Sequence, residues 1–266
     1  MNDLVELWER PSGVKYVIAG WRQWADAGSV SSGLPEYLVR STSAKKIGLL
    51  KAERFYLFQI PGTHHLLRPV VKLRDGHRKS MSEHRNELFY AKSGQNGILI
   101  FLGDEPHYDV ERYTDTFLDM AEELEVERVV VLGGVNGPVP YDKSREFSCV
   151  YSHPKMREEL AGYAIKFSDY QGGSTIGTYL AHKAEKREVE VVVFYAMVPS
   201  YQFSGASVMA EVMSMDEDYT AWYDLMRRIC YMFSFDLDLS DLRERADAIV
   251  AAWDAEIKKL DDVAGL

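Results

Sequence analysis

Short apolar runs alternate along this chain with stretches of helical periodicity. Residues 14–19 form a mostly apolar run that stops at Gly20, and a loop over 20–28 leads into a helical stretch at 29–40. Ser29 is a good N-cap for that stretch. Pro35 inside it predicts either a kink or a helix that starts close to the proline. A second strand is expected over 46–51. Buried strands are expected over 97–102, 128–132 and 189–195, where apolar side chains dominate. Residues 109–125 place Val110, Tyr113, Phe117, Ala121 and Leu124 on one stripe, which predicts an amphipathic helix. A further helix is expected over 175–186, after the turn Gln171-Gly172-Gly173-Ser174.

This βαβα order predicts an α/β fold, a three-layer α/β/α sandwich with mostly parallel, right-handed connections. Two stretches depart from it. Near residues 66–81, two β-rich runs flank Asp75-Gly76, a strong hairpin signal. From about Ser204 the strand pattern stops, and 204–215, 217–233 and 241–260 read as helices. In the last of these Leu242, Ala246, Ile249, Trp253, Ile257 and Leu260 recur every three or four residues behind Ser240 as N-cap. The expected organisation is an α/β domain over 1–203 with a hairpin insertion near 66–81, then a helical extension over 204–266. Residues 236–240 are the best linker.

Composition sharpens this picture. The chain has 266 residues, 46% hydrophobic and 27% charged, enough to bury a sizeable core. A net charge of −10 argues against general nucleic-acid binding and against docking on anionic lipid. Charge is unevenly spread: six Lys/Arg face two Asp/Glu over 68–85, and fourteen Asp/Glu face six Lys/Arg over 211–266. Such patches are suited to meeting across subunits, and equally to standing apart as two solvated faces. Cys149 and Cys230 show no zinc or CxxC spacing and read as reduced thiols of a cytoplasmic protein. The opening residues carry Asp3, Glu6 and Glu9, unlike a signal peptide. The longest apolar runs, 129–132 and 191–198, are too short to span a bilayer.

In open α/β sheets, ligands sit where loops converge at the strand carboxyl ends. Four loops carry candidate binding residues. The first holds Trp21, Asp26 and Gly28 before a helix; it suits an anion or partner site, or simply a capping Asp26 with tryptophans covering the sheet end. The second is Gly103-Asp104-Glu105-Pro106-His107. Its carboxylates suit a cation or acid–base work, or complement a helix dipole behind Pro106, and adjacent residues rarely aim at one point. The third contains Gly133 and Gly134, which permit close backbone approach or a sharp turn. The fourth, Tyr170 with Gly172, Gly173 and Ser174, has glycine spacing like a phosphate loop. Thr178 and Tyr179 stand where the phosphate-clamping lysine and its Ser/Thr belong, so a tight turn into a helix fits it better.

No GxGxxG, GxSxG or HExxH pattern occurs, and no Ser/His/Asp set can be nominated. His64, His65, His77 and His84 read as loop histidines. No cofactor and no metal is expected. Met209, Met213, Met215, Trp222, Tyr223, Met226 and Tyr231 suit core packing or an adaptable interface.

The same loops resemble the PAC2 family of proteasome-assembly-chaperone-like proteins. Gly20-Trp21 with Ala25-Asp26-Ala27-Gly28 looks like the family's opening signature, and Gly103-Asp104-Glu105-Pro106 like its Gly-Asp-Glu-Pro turn. Tyr170-Gln171-Gly172-Gly173-Ser174 is similar to its Tyr-x-Gly turn, and Val198-Pro199-Ser200-Tyr201 to its Val-Pro-His-Tyr. Ser200 replaces the usual histidine, Pro140 to Arg145 replaces a Pro-His-Thr-Arg segment, and the first loop carries an extra Arg22-Gln23-Trp24. The resemblance implies a phosphorylase/hydrolase-like α/β/α fold and self-association, a trimer in the bacterial branch. It also implies chaperone-like relatives, some of which help assemble proteasome α-rings. The function expected is a non-catalytic binding or assembly protein acting as a homo-oligomer with a protein partner. The alternative is an enzyme of nucleoside phosphorylase or hydrolase type working through Asp26, Asp104 and Glu105.

Overall fold

The computed structural model describes residues 3–11, 13–52, 54–58, 68–93, 96–163, 165–203 and 211–264. Twelve strands are found among them: β1 (Val5–Leu7), β2 (Val14–Arg22), β3 (Lys45–Leu50), β4 (Val70–Arg74), β5 (His77–Ser82), β6 (Asn86–Ser93), β7 (Asn96–Asp104), β8 (Arg128–Gly137), β9 (Phe147–Tyr151), β10 (Lys166–Phe167), β11 (Glu190–Phe203) and β12 (Glu211–Ser214). The helices are α1 (Gly33–Ser41), α2 (Val110–Glu123), α3 (Met156–Ala161), α4 (Ile176–Ala184), α5 (Tyr219–Phe233) and α6 (Ser240–Ala264).

Ten strands form one sheet in the order β1-β3-β6-β7-β2-β8-β11-β9-β10, with β12 paired to β11. Its centre, β7-β2-β8-β11, is parallel. These are the apolar runs read as buried strands, and Val17, Ile18, Val129, Val130, Val191 and Val192 are fully buried. Toward one edge, β7, β6, β3 and β1 pair antiparallel; toward the other, β9 runs antiparallel to β11.

Alternate residues of the central strands feed two cores. On one face Val17, Val129 and Val191 pack with Tyr113 and Phe117 of α2 and Leu180 of α4. On the other, Ile18, Val130 and Val192 pack with Leu34 and Leu38 of α1, Leu160 of α3 and Trp222, Leu225 and Ile229 of α5. The three expected layers are thus present.

Several expectations shift. The first helix begins at Gly33 rather than 29, with Pro35 in its first turn, where a missing N–H costs nothing. Residues 27–29 form a short 3-10 turn instead. The stretch read as helix over 204–215 contains strand β12, antiparallel to the end of β11; residues 204–210, including Met209 and the expected boundary near 204, lie outside the described residues, as do His64 and His65. The expected hairpin forms as β4 and β5 around Asp75-Gly76, both at positive φ, though its first residues, 66 and 67, are also outside the description. Strands β1, β6, β9 and β10 and helix α3 add to what the periodicity alone predicts.

Candidate functional site

The carboxyl ends of the parallel strands form one rim, and backbone contacts fasten its loops to each other. Strands β2 and β7 end side by side, with Arg22 opposite Asp104. The Glu105 N–H donates to the Arg22 carbonyl at 3.0 Å. The Gly134 N–H donates to the Ala25 carbonyl at 2.9 Å, and Asp26 forms an isolated bridge with Gly134. A Cβ on Gly134 would collide with the Ala27 carbonyl, so glycine permits this approach. A Cβ built on Gly173 would stand 3.4 Å from the Trp24 ring, which places the fourth loop against the first.

The predicted residues take distinct places. Trp21 is fully buried beside Gly103, and its indole N–H donates to the Tyr113 hydroxyl at 2.8 Å. Asp26 accepts the Ser31 and Ser32 N–H groups at 2.8 and 2.9 Å on Oδ1, which closes the loop just ahead of α1 without capping either helix. Burial pushes its carboxyl above the ordinary range, against the pull of those donors. Gly28 sits at φ +61° under Asp218, whose Cβ would lie 2.7 Å from a Cβ placed there. Tyr170, Gly172, Gly173 and Ser174 are exposed.

Asp104 and Glu105 diverge. Asp104 turns toward the hairpin: Oδ2 accepts the Arg85 N–H at 2.8 Å and lies 3.4 Å from His84 Nδ1. Glu105 turns along the rim, accepting the Trp24 N–H at 3.4 Å and a backbone bond from Ile176 at the start of α4. Burial raises the Glu105 carboxyl in spite of these bonds.

Residues outside the predicted set complete the rim. Tyr195 lies against Gly133 on the neighbouring strand. Its hydroxyl is 2.6 Å from Thr175 Oγ1 and 2.7 Å from Thr178 Oγ1. Thr175 also caps α4 through the Thr178 N–H at 3.1 Å, the one part of this cluster its position before a helix announces. Beneath Asp104, the Tyr113 hydroxyl donates to Asn86 Oδ1 at 2.7 Å, and Tyr56 reaches both Asn86 Oδ1 and the Asp104 carbonyl. The His84 ring stacks on Tyr56 with centroids 4.1 Å apart, and His107 packs edge-on to both. Burial and the neighbouring His84 lower the His107 pKa. A cavity of about 310 Å³ opens there, lined by Arg22, Arg68, Val70, His84, Asp104 and His107. No cluster of three His, Cys, Asp or Glu suited to a metal occurs among the described residues.

The far end of the rim is pinned by Arg145. Its side chain and that of Asp218 are wholly buried, with Nε donating to Asp218 Oδ2 at 2.7 Å. Arg145 also donates to the Pro140, Tyr141 and Lys143 carbonyls. Asp218 in turn accepts the Ala221 N–H at 3.0 Å and caps α5. The segment 140–145 that departs from the resembled pattern therefore carries its own structural anchor.

These features define a three-layer α/β/α protein built on a mixed sheet, with glycine-bearing loops interlocked along one rim. The family model described as PAC2 family matches residues 21–257, and the chain belongs to the PAC2 family. A PAC2 family protein from Streptomyces avermitilis shares 25% identity at TM-score 0.75, over 93% of this chain and 96% of that one. A proteasome-assembly chaperone homologue from Mycobacterium tuberculosis shares 21% at TM-score 0.76, over 92% and 94%. PbaB of Pyrococcus furiosus, an archaeal proteasome activator, shares 17% at TM-score 0.64, over 97% and 98%. No curated protein matches the chain in sequence. Among the described residues no helix is long and apolar enough to cross a membrane.

Proposed function

We propose that this chain is a non-catalytic, assembly-chaperone-like protein of the cytoplasm that works as a homo-oligomer, a trimer for preference, and binds a protein partner. The family match over residues 21–257 carries the reading. The rim supports it: Asp26 and Glu105 accept backbone N–H groups that tie loops together, which commits them to holding the scaffold. Binding then falls to the outer surfaces, with Tyr170, Gly172, Gly173 and Ser174 beside exposed Trp24 as the rim's contribution. Light scattering on the purified full chain at micromolar concentration is expected to give the mass of three chains. Native co-purification with cross-linking is expected to recover a ring-forming or multi-subunit protein at fixed stoichiometry. A strict monomer that recovers no stoichiometric partner contradicts the proposal.

The cavity beside Asp104 favours a second reading, a small-molecule site of nucleoside type. A nucleoside and nucleotide panel in thermal shift decides it. A true ligand at a hundredfold excess over its Kd stabilises by about 2.7 kcal/mol. Flat curves across the panel, identical to those of Asp104→Ala, remove this reading.

A further inference from the structure

Strand pairing sets Arg22, the last residue of β2, beside Asp104, the last residue of β7. Both line the cavity of about 310 Å³, with His84, Pro106 and His107. Asp104 is 6% exposed, and its two oxygens are not used alike. Oδ2 accepts the Arg85 N–H at 2.8 Å and lies 3.4 Å from His84 Nδ1. Oδ1 is buried and accepts no hydrogen bond. Arg22 Nη1 is 3.7 Å from it, a distance at which the charges attract but no hydrogen bond forms. A buried carboxylate oxygen without a donor is costly, and native structures rarely leave one unless water, an ion or a ligand completes it. The Arg22 side chain is 69% exposed and makes no other ion pair among the described residues. It belongs to the Arg22-Gln23-Trp24 segment by which the first loop departs from the resembled pattern.

The pair thus presents a negative acceptor and a positive donor side by side. A ligand that answers both carries a cationic N–H group and an anion at nearly the same separation. An α-amino acid does so: its ammonium and carboxylate share one carbon, which sets the nitrogen ~3 Å from the nearer oxygen. A nucleotide places a whole ribose between its base and its phosphate. A nucleoside brings donors for Asp104 and no anion for Arg22, and a dicarboxylate leaves Oδ1 without a donor. Neighbouring charges do not interfere. Glu105 turns its carboxyl to the Trp24 and Ile176 N–H groups. Burial and His84 lower the His107 pKa, so His107 stays neutral at pH 7 and does not repel an ammonium. Arg68 and Glu83 also line the cavity and offset each other in charge. The remaining volume leaves room for a side chain against Pro106 and the two histidine rings.

We propose that the cavity at the ends of β2 and β7 binds a free α-amino acid, with its ammonium on Asp104 Oδ1 and its carboxylate on Arg22. The proposal rests on the reading of this cavity as a small-molecule site and names the ligand class from its charges. Isothermal titration of the full chain with each of the twenty common L-amino acids, and with a panel of nucleosides and nucleotides, tests it. At least one amino acid is expected to bind, one molecule per chain. Its N-acetyl and methyl ester forms, each lacking one charge, are expected to bind at least tenfold more weakly. The same loss is expected for the free amino acid on Asp104→Asn and on Arg22→Gln. Arg22 is exposed, so Arg22→Gln keeps the fold even where Asp104→Asn does not. A nucleoside or nucleotide that binds where every amino acid fails overturns the amino-acid assignment and spares the small-molecule site. Blocked forms that bind as tightly as the free amino acid overturn recognition of the paired charges. An amino acid held equally well by Arg22→Gln binds elsewhere and overturns the site. No binding from either panel overturns the small-molecule reading as well.

Discussion

Arg145 shows how one side chain can hold a long segment in place. With its partner Asp218 wholly buried, the pair depends on mutual charge and on the three carbonyls that satisfy the guanidinium. Removing one member of a buried pair strands the other and costs about 3–5 kcal/mol. Arg145→Met is therefore expected to lose about that much in urea unfolding. Arg145→Met/Asp218→Asn is expected to recover part of it, because the amide keeps an oxygen for the Ala221 N–H without the stranded charge. A double variant no more stable than the single contradicts this account. Glu105 makes the opposite case. Burial raises its folded pKa, so over a window above the ordinary carboxylate range the folded chain holds a proton that the unfolded chain has released. Its contribution to stability is present below the unfolded pKa and is lost as pH rises through the folded one. Glu105→Gln keeps the acceptor and cannot ionise. Its melting temperature is expected to gain on the wild type between pH 4 and pH 8, and a gain that shrinks over that range contradicts the assignment.

At the scale of elements, Arg128 ties α3 to the starts of β8 and β11. Its guanidinium bonds both oxygens of Glu159 at 2.7 and 2.8 Å and reaches Glu190 at 2.5 Å. The Arg128 bonds hold Glu159 below the usual range; burial alone would raise Glu190, yet Lys155 and Arg128 bring it down. Their stabilisation is present above the unfolded carboxylate pKa and is lost as pH falls through the depressed folded values. Arg128→Lys loses the bidentate fork, and is expected to lower stability at pH 7 and to narrow that deficit toward pH 3. An equal deficit at both ends denies the clamp its electrostatic part. The elements also show what was legible in the sequence. The parallel strands and α2 announce themselves because full burial leaves an unbroken apolar run or a clean stripe. β6 does not, because Phe89 and Tyr90 stand side by side and only partly buried, blurring the alternation. β12 read as helix because Met209 and Met213 stand four residues apart, the spacing of one helical face. The order of the four loops was legible; which partner each carboxylate takes was not, since Arg85, Trp24 and Ile176 meet Asp104 and Glu105 only through the fold.

Across the whole molecule, two cores clamp one sheet, and the loops at its parallel end are stitched crosswise by amides from three different segments. The Gly134 N–H reaches the first loop, the Glu105 N–H reaches the end of β2, and Ser31 and Ser32 close on Asp26. Such a rim opens only with the sheet beneath it, unlike a binding loop drawn from the least stable parts of a fold. Native-state hydrogen exchange at single amides measures this directly. The N–H groups of Ser31, Ser32, Glu105 and Gly134 are expected to exchange as slowly as those of Val130 and Val192, and to lose protection together in Gly134→Ala. Fast exchange at these four amides above a protected sheet would contradict the interlocked rim.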